Sequence, residues 1–139
     1  MELGKFLMAC AMIVITLFPF VQFSVSQVNH HYITRAMEIV HVHAQKARTD
    51  GYFTAANIAS MKSELSQVLK VGVDEIIVIA DQTPKYRFDA FDEREMIHFE
   101  VRIPIKKIMA MAGTFGITDA QNSTMYPIKG AVPSEVLAP

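Results

Sequence analysis

The chain has 139 residues and a formal net charge of −1, so no strong electrostatic field indicates a nucleic-acid partner or an acidic substrate. Its single cysteine, Cys10, excludes an intramolecular disulfide and a cysteine-based zinc site. Charged residues make up 19% of the chain, yet residues 6–34 contain no Asp, Glu, Lys or Arg. The charge is therefore concentrated in the rest of the sequence, and the uncharged stretch is its most informative feature.

An apolar segment of 20 residues, 6–25, matches the length that an α-helix needs to cross a bilayer core of roughly 30 Å. Eleven of these residues are Leu, Ile, Val or Phe, whose insertion contributes roughly −3 to −6 kcal/mol before Pro19, Gln22 and Ser24 are subtracted. We therefore expect a membrane-contacting helix. Once extracted from lipid, its uncharged apolar surface could be buried only against copies of itself, so we also expect it to be the core helix of an assembly. Its predicted contact residues are Phe6, Leu7, Met12, Ile13, Val14, Ile15, Leu17, Phe18, Pro19, Phe20, Val21 and Phe23.

A cleaved signal peptide is the alternative for this segment, because Lys5 precedes the apolar run and Ser24–Ser26 would serve as a cleavage site. The run is, however, longer than the usual apolar region of a signal peptide, about 7–15 residues. We therefore expect the segment to be retained, which predicts a single-pass membrane location before any export to the cell surface. Pro19 should bend the helix, a feature that membrane spans tolerate.

The same helix is predicted to continue beyond the membrane segment to about residue 49, because residues 26–50 contain neither Pro nor Gly and Gly51 follows as a stop signal. One apolar stripe recurs at helical spacing along this stalk. It consists of Ile33, Ala36, Met37, Val40, Ala44 and Ala47. The sequence thus predicts a membrane and stalk helix over residues 1–50 and a globular head over residues 51–139.

The head is predicted to contain a short helix and a small antiparallel sheet, which makes the fold class α+β. Thr54 is a favourable N-cap, and apolar residues recur at helical spacing from Ile58 to Leu69. The run 76–79 predicts a well-buried strand, whereas residues 86–90 and 97–105 alternate between apolar and polar side chains as half-exposed strands do. A last strand near 124–132 contains Pro127, which places it at a sheet edge.

Candidate ligand sites are weak in this sequence. His30, His31, His41 and His43 lie on the stalk helix, but residues two apart point about 200° away from each other, so His41 and His43 cannot share an ion. We expect solvated histidines there. The acidic residues Asp89, Asp92, Glu93 and Glu95 lack the spacing of a calcium-binding EF-hand and predict a solvated hairpin tip.

No constellation in the sequence indicates catalysis, because there is no glycine-rich phosphate loop, no Gly-x-Ser-x-Gly motif and no cysteine paired with a histidine. Met109, Met111 and Phe115 are expected to pack in the core or at a subunit contact and not to bind a ligand. We therefore expect a protein that is not an enzyme and that has no catalytic, cofactor-binding or metal-binding residues. No cofactor and no nucleic-acid partner are expected either.

An apolar span that continues into an amphipathic helix and then a small α+β head resembles the type IV pilin-like proteins. More narrowly, the chain is similar to the TadE-like proteins of tight-adherence pilus systems. The similarity lies in the segments Arg35–Glu38 and Ala44–Tyr52, which contain alanines and arginines and end with a glycine followed by an aromatic residue. The strands near 96–105 and 124–135 are similar as well. The sequence departs from the pilin pattern at its start, because cleavage after Gly4 would place Ala9 at the fifth mature position, where a Glu is usual.

The resemblance implies a structural subunit of an extracellular filament that mediates adhesion. Its partners would be copies of itself, other pilus subunits and, before assembly, membrane lipid. The long helix would line the centre of the filament. Two alternatives remain open: a secreted monomeric binding module released by cleavage near Ser26, and a bitopic subunit of an envelope or conjugation machine that never polymerises.

Overall fold

The computed structural model describes residues 2–88 and 92–139, and its architecture is α+β, as the sequence predicts. A long helix is followed by a short helix and a three-stranded antiparallel sheet. The helices and strands are α1 (Glu2–Asp50), α2 (Ala55–Leu69), β1 (Ile77–Ala80), β2 (Met96–Lys106) and β3 (Ser123–Pro133). The described residues form two compact units, one made of 2–31 with Ile105–Thr124 and the other of Tyr32–Pro104 with Met125–Pro139.

Helix α1 ends where the sequence predicts, because Gly51 adopts a left-handed conformation with φ +85°. Its N–H donates to the carbonyl of Ala47 over 2.8 Å and closes the last turn. A Cβ atom at this position would lie only 3.0 Å from the carbonyl oxygen of Lys85 and 3.1 Å from Val136 Cγ2. Both the backbone angle and the lack of space therefore favour glycine here.

The buried stripe of the stalk differs from the predicted one at two positions. Ala36, Val40, Ala44 and Ala47 are buried as expected, and Ile33 is half-buried. Met37 instead exposes 49% of its surface, and His43, predicted to be solvated, exposes only 6%. The buried face is thus rotated towards His43, which lies three residues after Val40 and four before Ala47.

Helix α2 begins with the predicted cap, since the Thr54 side chain accepts a hydrogen bond from the Asn57 N–H over 3.1 Å. It ends at Lys70, which adopts the left-handed conformation of a C-terminal cap at φ 54°. Between these ends Met61, Leu65 and Leu69 are buried at helical spacing. One face of α2 therefore contributes to the core of its unit.

Strand β2 is the central strand of the sheet, and β1 and β3 are its edges. β1 pairs with β2 in antiparallel register, with Val78 opposite Val101. The prediction of a well-buried first strand was wrong, because Ile77 and Ile79 are 44% and 55% exposed. An edge strand that is covered on one face alone leaves alternate side chains in solvent.

The half-exposed strand predicted over residues 86–90 is not observed in its described part. Arg87 takes part in an isolated parallel bridge with Leu137 instead of a strand, and its N–H donates to the carbonyl of Val136 over 2.7 Å. The remaining residues of that prediction, 89 and 90, lie outside the described residues. The clear alternation of 97–105 is confirmed by β2, in which Ile97, Val101 and Ile103 are fully buried.

Gly130 on β3 allows an aromatic ring to pack directly on the backbone of the sheet. The ring of Phe99 lies so close that a Cβ atom at Gly130 would stand 2.5 Å from its Cζ atom. The same ring packs against Phe53, with 5.7 Å between ring centroids. Phe53 is fully buried, so the ring has little room to withdraw.

We predict that Gly130→Ala lowers the free energy of unfolding by about 1–3 kcal/mol, since the added methyl group overpacks the Phe99 contact. Thermal unfolding of the full chain in detergent, followed by circular dichroism, measures the effect. Gly113→Ala is the matched control, because a Cβ atom there meets nothing within 4 Å. Equal melting temperatures for the two variants would contradict the prediction.

Candidate membrane and assembly surface

The predicted contact residues of the apolar segment lie on α1 with most of their side chains uncovered. Exposure ranges from 42% at Val21 to 68% at Ile15 and Phe20. Phe18 is the half-buried member of the set. This part of α1 is long and apolar enough to cross a membrane, and its most apolar window has no buried residue. An uncovered apolar surface of this length is unusual for a soluble monomer.

A loop in the same compact unit, defined here as the covering loop, spans residues 107–122 between β2 and β3. The side chain of Asn122 organises it. Asn122 accepts a hydrogen bond from the Met109 N–H over 2.7 Å and donates one to the Met109 carbonyl over 3.0 Å. Its own N–H donates to the Thr118 carbonyl over 2.9 Å, and the residue is 7% exposed. One buried amide thus ties both ends of the loop together.

The covering loop contacts α1 through two polar side chains of the helix. Gln22 Nε2 donates to the Ile108 carbonyl over 2.9 Å, and Gln22 Oε1 accepts from the Ala110 N–H over 2.8 Å. Asn29 Nδ2 donates to the Lys107 carbonyl over 3.2 Å. Further along, Phe18 meets Phe115 edge to face, with 5.9 Å between centroids. By composition alone Gln22 is only a cost of membrane insertion, whereas in the structure its amide is satisfied within the protein.

The loop presents apolar side chains of its own to the outside. Ile108, Met111 and Phe115 are 40%, 46% and 57% exposed. The backbone reaches this arrangement through left-handed residues, with φ 61° at Lys107 and 55° at Met111. Such angles cost energy in residues with a side chain, so the loop conformation depends on its contacts with Gln22 and Asn122.

A buried polar cluster in the other unit joins α1 to α2, and the sequence pattern did not predict it. His43 Nδ1 lies 2.6 Å from Asn57 Oδ1, while Asn57 Nδ2 donates to the His43 carbonyl over 3.0 Å. Since the Asn57 amide group donates to the carbonyl, its Oδ1 accepts from the His43 ring. His43 Nε2 faces Glu64 Oε1 at 3.2 Å, an ion pair whenever the ring is protonated. Asn57 is fully buried, and its position three residues after the Thr54 cap is the only hint in the sequence.

The acidic residues near the predicted hairpin tip serve different purposes in the structure. Glu95 is not solvated as predicted, because it is 2% exposed and its Oε1 accepts from the Phe88 N–H over 2.9 Å. Asp92 is bound by Arg94, with Nη2 2.6 Å from Oδ2, and these hydrogen bonds lower the pKa of Asp92. Asp89 lies outside the described residues.

Within residues 2–88 and 92–139, no three His, Cys, Asp or Glu side chains converge into a metal-binding group. The expectation that the stalk histidines bind no metal and that the chain is not an enzyme stays a prediction. The features that stand out in the described residues are instead the uncovered apolar helix and the loop attached to it.

No protein-family model matches the chain, and neither a curated protein nor a solved structure matches it. The resemblance to TadE-like pilins therefore stays a hypothesis based on the sequence pattern.

We predict that Asn57→Ala lowers the free energy of unfolding by about 1–3 kcal/mol, because it leaves the buried His43 ring and carbonyl without their partner. Gln67→Ala, at an exposed position of α2, is the control and should change stability by less than about 0.5 kcal/mol. Thermal unfolding in detergent measures both variants. An unchanged melting temperature for Asn57→Ala would show that the cluster adds no stability.

Proposed function

We propose that this protein is a non-enzymatic, pilin-like structural subunit that is anchored in a membrane by α1 and assembles with copies of itself and with other filament subunits. The observation that carries the proposal is the uncovered apolar surface of residues 6–25, on a helix long enough to span a bilayer. At 1.5 Å per residue these 20 residues measure about 30 Å, the thickness of a hydrocarbon core. Lipid is the environment in which such a surface is stable before assembly.

Assembly into a filament follows from what happens to this surface outside the membrane. Once the helix leaves lipid, its exposed leucine, isoleucine, valine and phenylalanine side chains need another apolar cover. Copies of the same helix supply one, and contacts between different faces of identical subunits generate open helical filaments. The proposal also includes an extracellular location and a role in adhesion, and the resemblance to pilin-like proteins is what supports these two parts.

A second candidate function is a bitopic subunit of an envelope machine that stays in the membrane without polymerising. The covering loop favours it, because Phe18 and Gln22 are already engaged by residues of that loop. A helix packed tightly among its copies would need faces that are free of such contacts. The two candidates share the membrane anchor and differ in assembly.

For the anchor, we predict that Ile15→Lys shifts the full-length protein from the membrane pellet to the alkaline-extractable fraction. A lysine at the middle of a span costs about 2.5–3.5 kcal/mol. Ile79→Lys is the matched control, since Ile79 is an exposed isoleucine on β1 and should leave the protein in the pellet. The anchor proposal fails if Ile15→Lys is retained as firmly as the control, or if native protein is recovered in soluble form starting at Gln27.

For assembly, we predict that the wild-type chain forms filaments visible by electron microscopy and that Ile15→Lys abolishes them, because the filament core would then hold an unpaired charge. Ile79→Lys should assemble like the wild type. A wild-type chain that stays membrane-bound and monomeric would instead support the bitopic subunit.

A further inference from the structure

The covering loop runs alongside α1 from Asn29, which follows the apolar segment, to Phe18, which lies within it. Lys107 is held at Asn29, Ile108 and Ala110 at Gln22, and Phe115 at Phe18. Asn29 and Phe18 are 11 residues apart on the helix, or about 16 Å along its axis. The loop thus descends antiparallel to α1 and reaches into the level of residues 6–25.

The chemistry of the loop changes with this level. Exposed Lys106 and Lys107 lie where the loop begins, near the level of Asn29 and outside the apolar segment. Exposed Ile108, Met111 and Phe115 follow on the descending part. Asp119 is the only acidic residue between 105 and 124, so the region carries a net positive charge. An apolar tip below a pair of lysines is the pattern of elements that lie in a membrane interface.

We propose that the covering loop is a second membrane contact, in which Met111 and Phe115 enter the boundary between headgroups and acyl chains while Lys106 and Lys107 face lipid phosphates. The inference rests on the membrane anchor proposed for α1 and adds a part of the chain that no apolar run in the sequence marks. Its ligand is a bilayer of phospholipid, with anionic headgroups preferred because of the two lysines.

Depth along the helix supports lipid as the occupant. Phe18 lies seven residues before Val25, the end of the apolar segment, so Phe115 sits about 10 Å below that level. Interfacial elements bury their apolar face about 5–10 Å deep. The loop is also held to α1 by hydrogen bonds that Gln22 donates to Ile108 and accepts from Ala110. A bilayer that surrounds this part of the helix therefore meets the exposed loop side chains as well.

The test uses tryptophan as a depth probe, because the chain contains no tryptophan of its own. Full-length Phe115→Trp is reconstituted into phosphatidylcholine–phosphatidylglycerol vesicles whose acyl chains are brominated, and fluorescence quenching is measured. Met111→Trp is a second probe of the same loop in case the Phe18 contact does not tolerate the larger ring. Phe20→Trp, on the exposed face of the apolar segment, reports whether α1 itself is in the bilayer, and Ile79→Trp on β1 is the negative control.

The proposal predicts that Phe20→Trp and at least one loop probe lose emission in brominated vesicles and become protected from acrylamide, while Ile79→Trp does neither. Quenching of Phe20→Trp with both loop probes unaffected overturns the loop contact and leaves the anchor intact. Loop probes that are protected from acrylamide but not quenched by bromine also overturn it and indicate a second copy of the chain. If Phe20→Trp is not quenched, the membrane anchor itself fails.

Discussion

The length of α1 is the constraint on which the rest of this structure depends. A helix of 49 residues measures about 74 Å, and it belongs to two compact units in turn. Along residues 32–50 small and apolar side chains are buried, whereas along residues 6–25 they are mainly uncovered. Apolar surface that a chain leaves uncovered over such a length is unusual for a soluble monomer.

The buried half illustrates how a helix is fixed to its unit with few large side chains. Ala36, Ala44 and Ala47 are fully buried and allow neighbouring elements to approach closely. The specific geometry then comes from the His43–Asn57 hydrogen bonds, which join α1 to α2 through both side chain and backbone. Apolar contacts alone tolerate sliding between helices, whereas a buried polar pair that is left unmatched costs about 1–3 kcal/mol.

Features with strong local causes could be predicted from the sequence. The extent of α1, its stop at Gly51, the Thr54 cap and the alternating strand 97–105 each follow from local propensity or periodicity, and the structure confirms them. The errors arose where tertiary contacts decide. Ile77 and Ile79 are exposed because β1 is an edge strand, and Glu95 is buried where its carboxylate accepts a hydrogen bond from the Phe88 N–H. Neither relation is visible in a window of neighbouring residues.

The candidate membrane and assembly surface also has features with local causes and features that depend on distant residues. The apolar run is evident in the sequence. The role of Gln22 is not, because its partners Ile108 and Ala110 lie 86 and 88 positions later in the chain. A glutamine inside a membrane span is costly when its amide lacks partners. Here the Ile108 carbonyl and the Ala110 N–H satisfy the Gln22 amide. The residue that lowers the hydrophobicity of the apolar segment therefore also attaches a folded loop to it. The Gln22 amide and the loop backbone thus satisfy each other's hydrogen bonds.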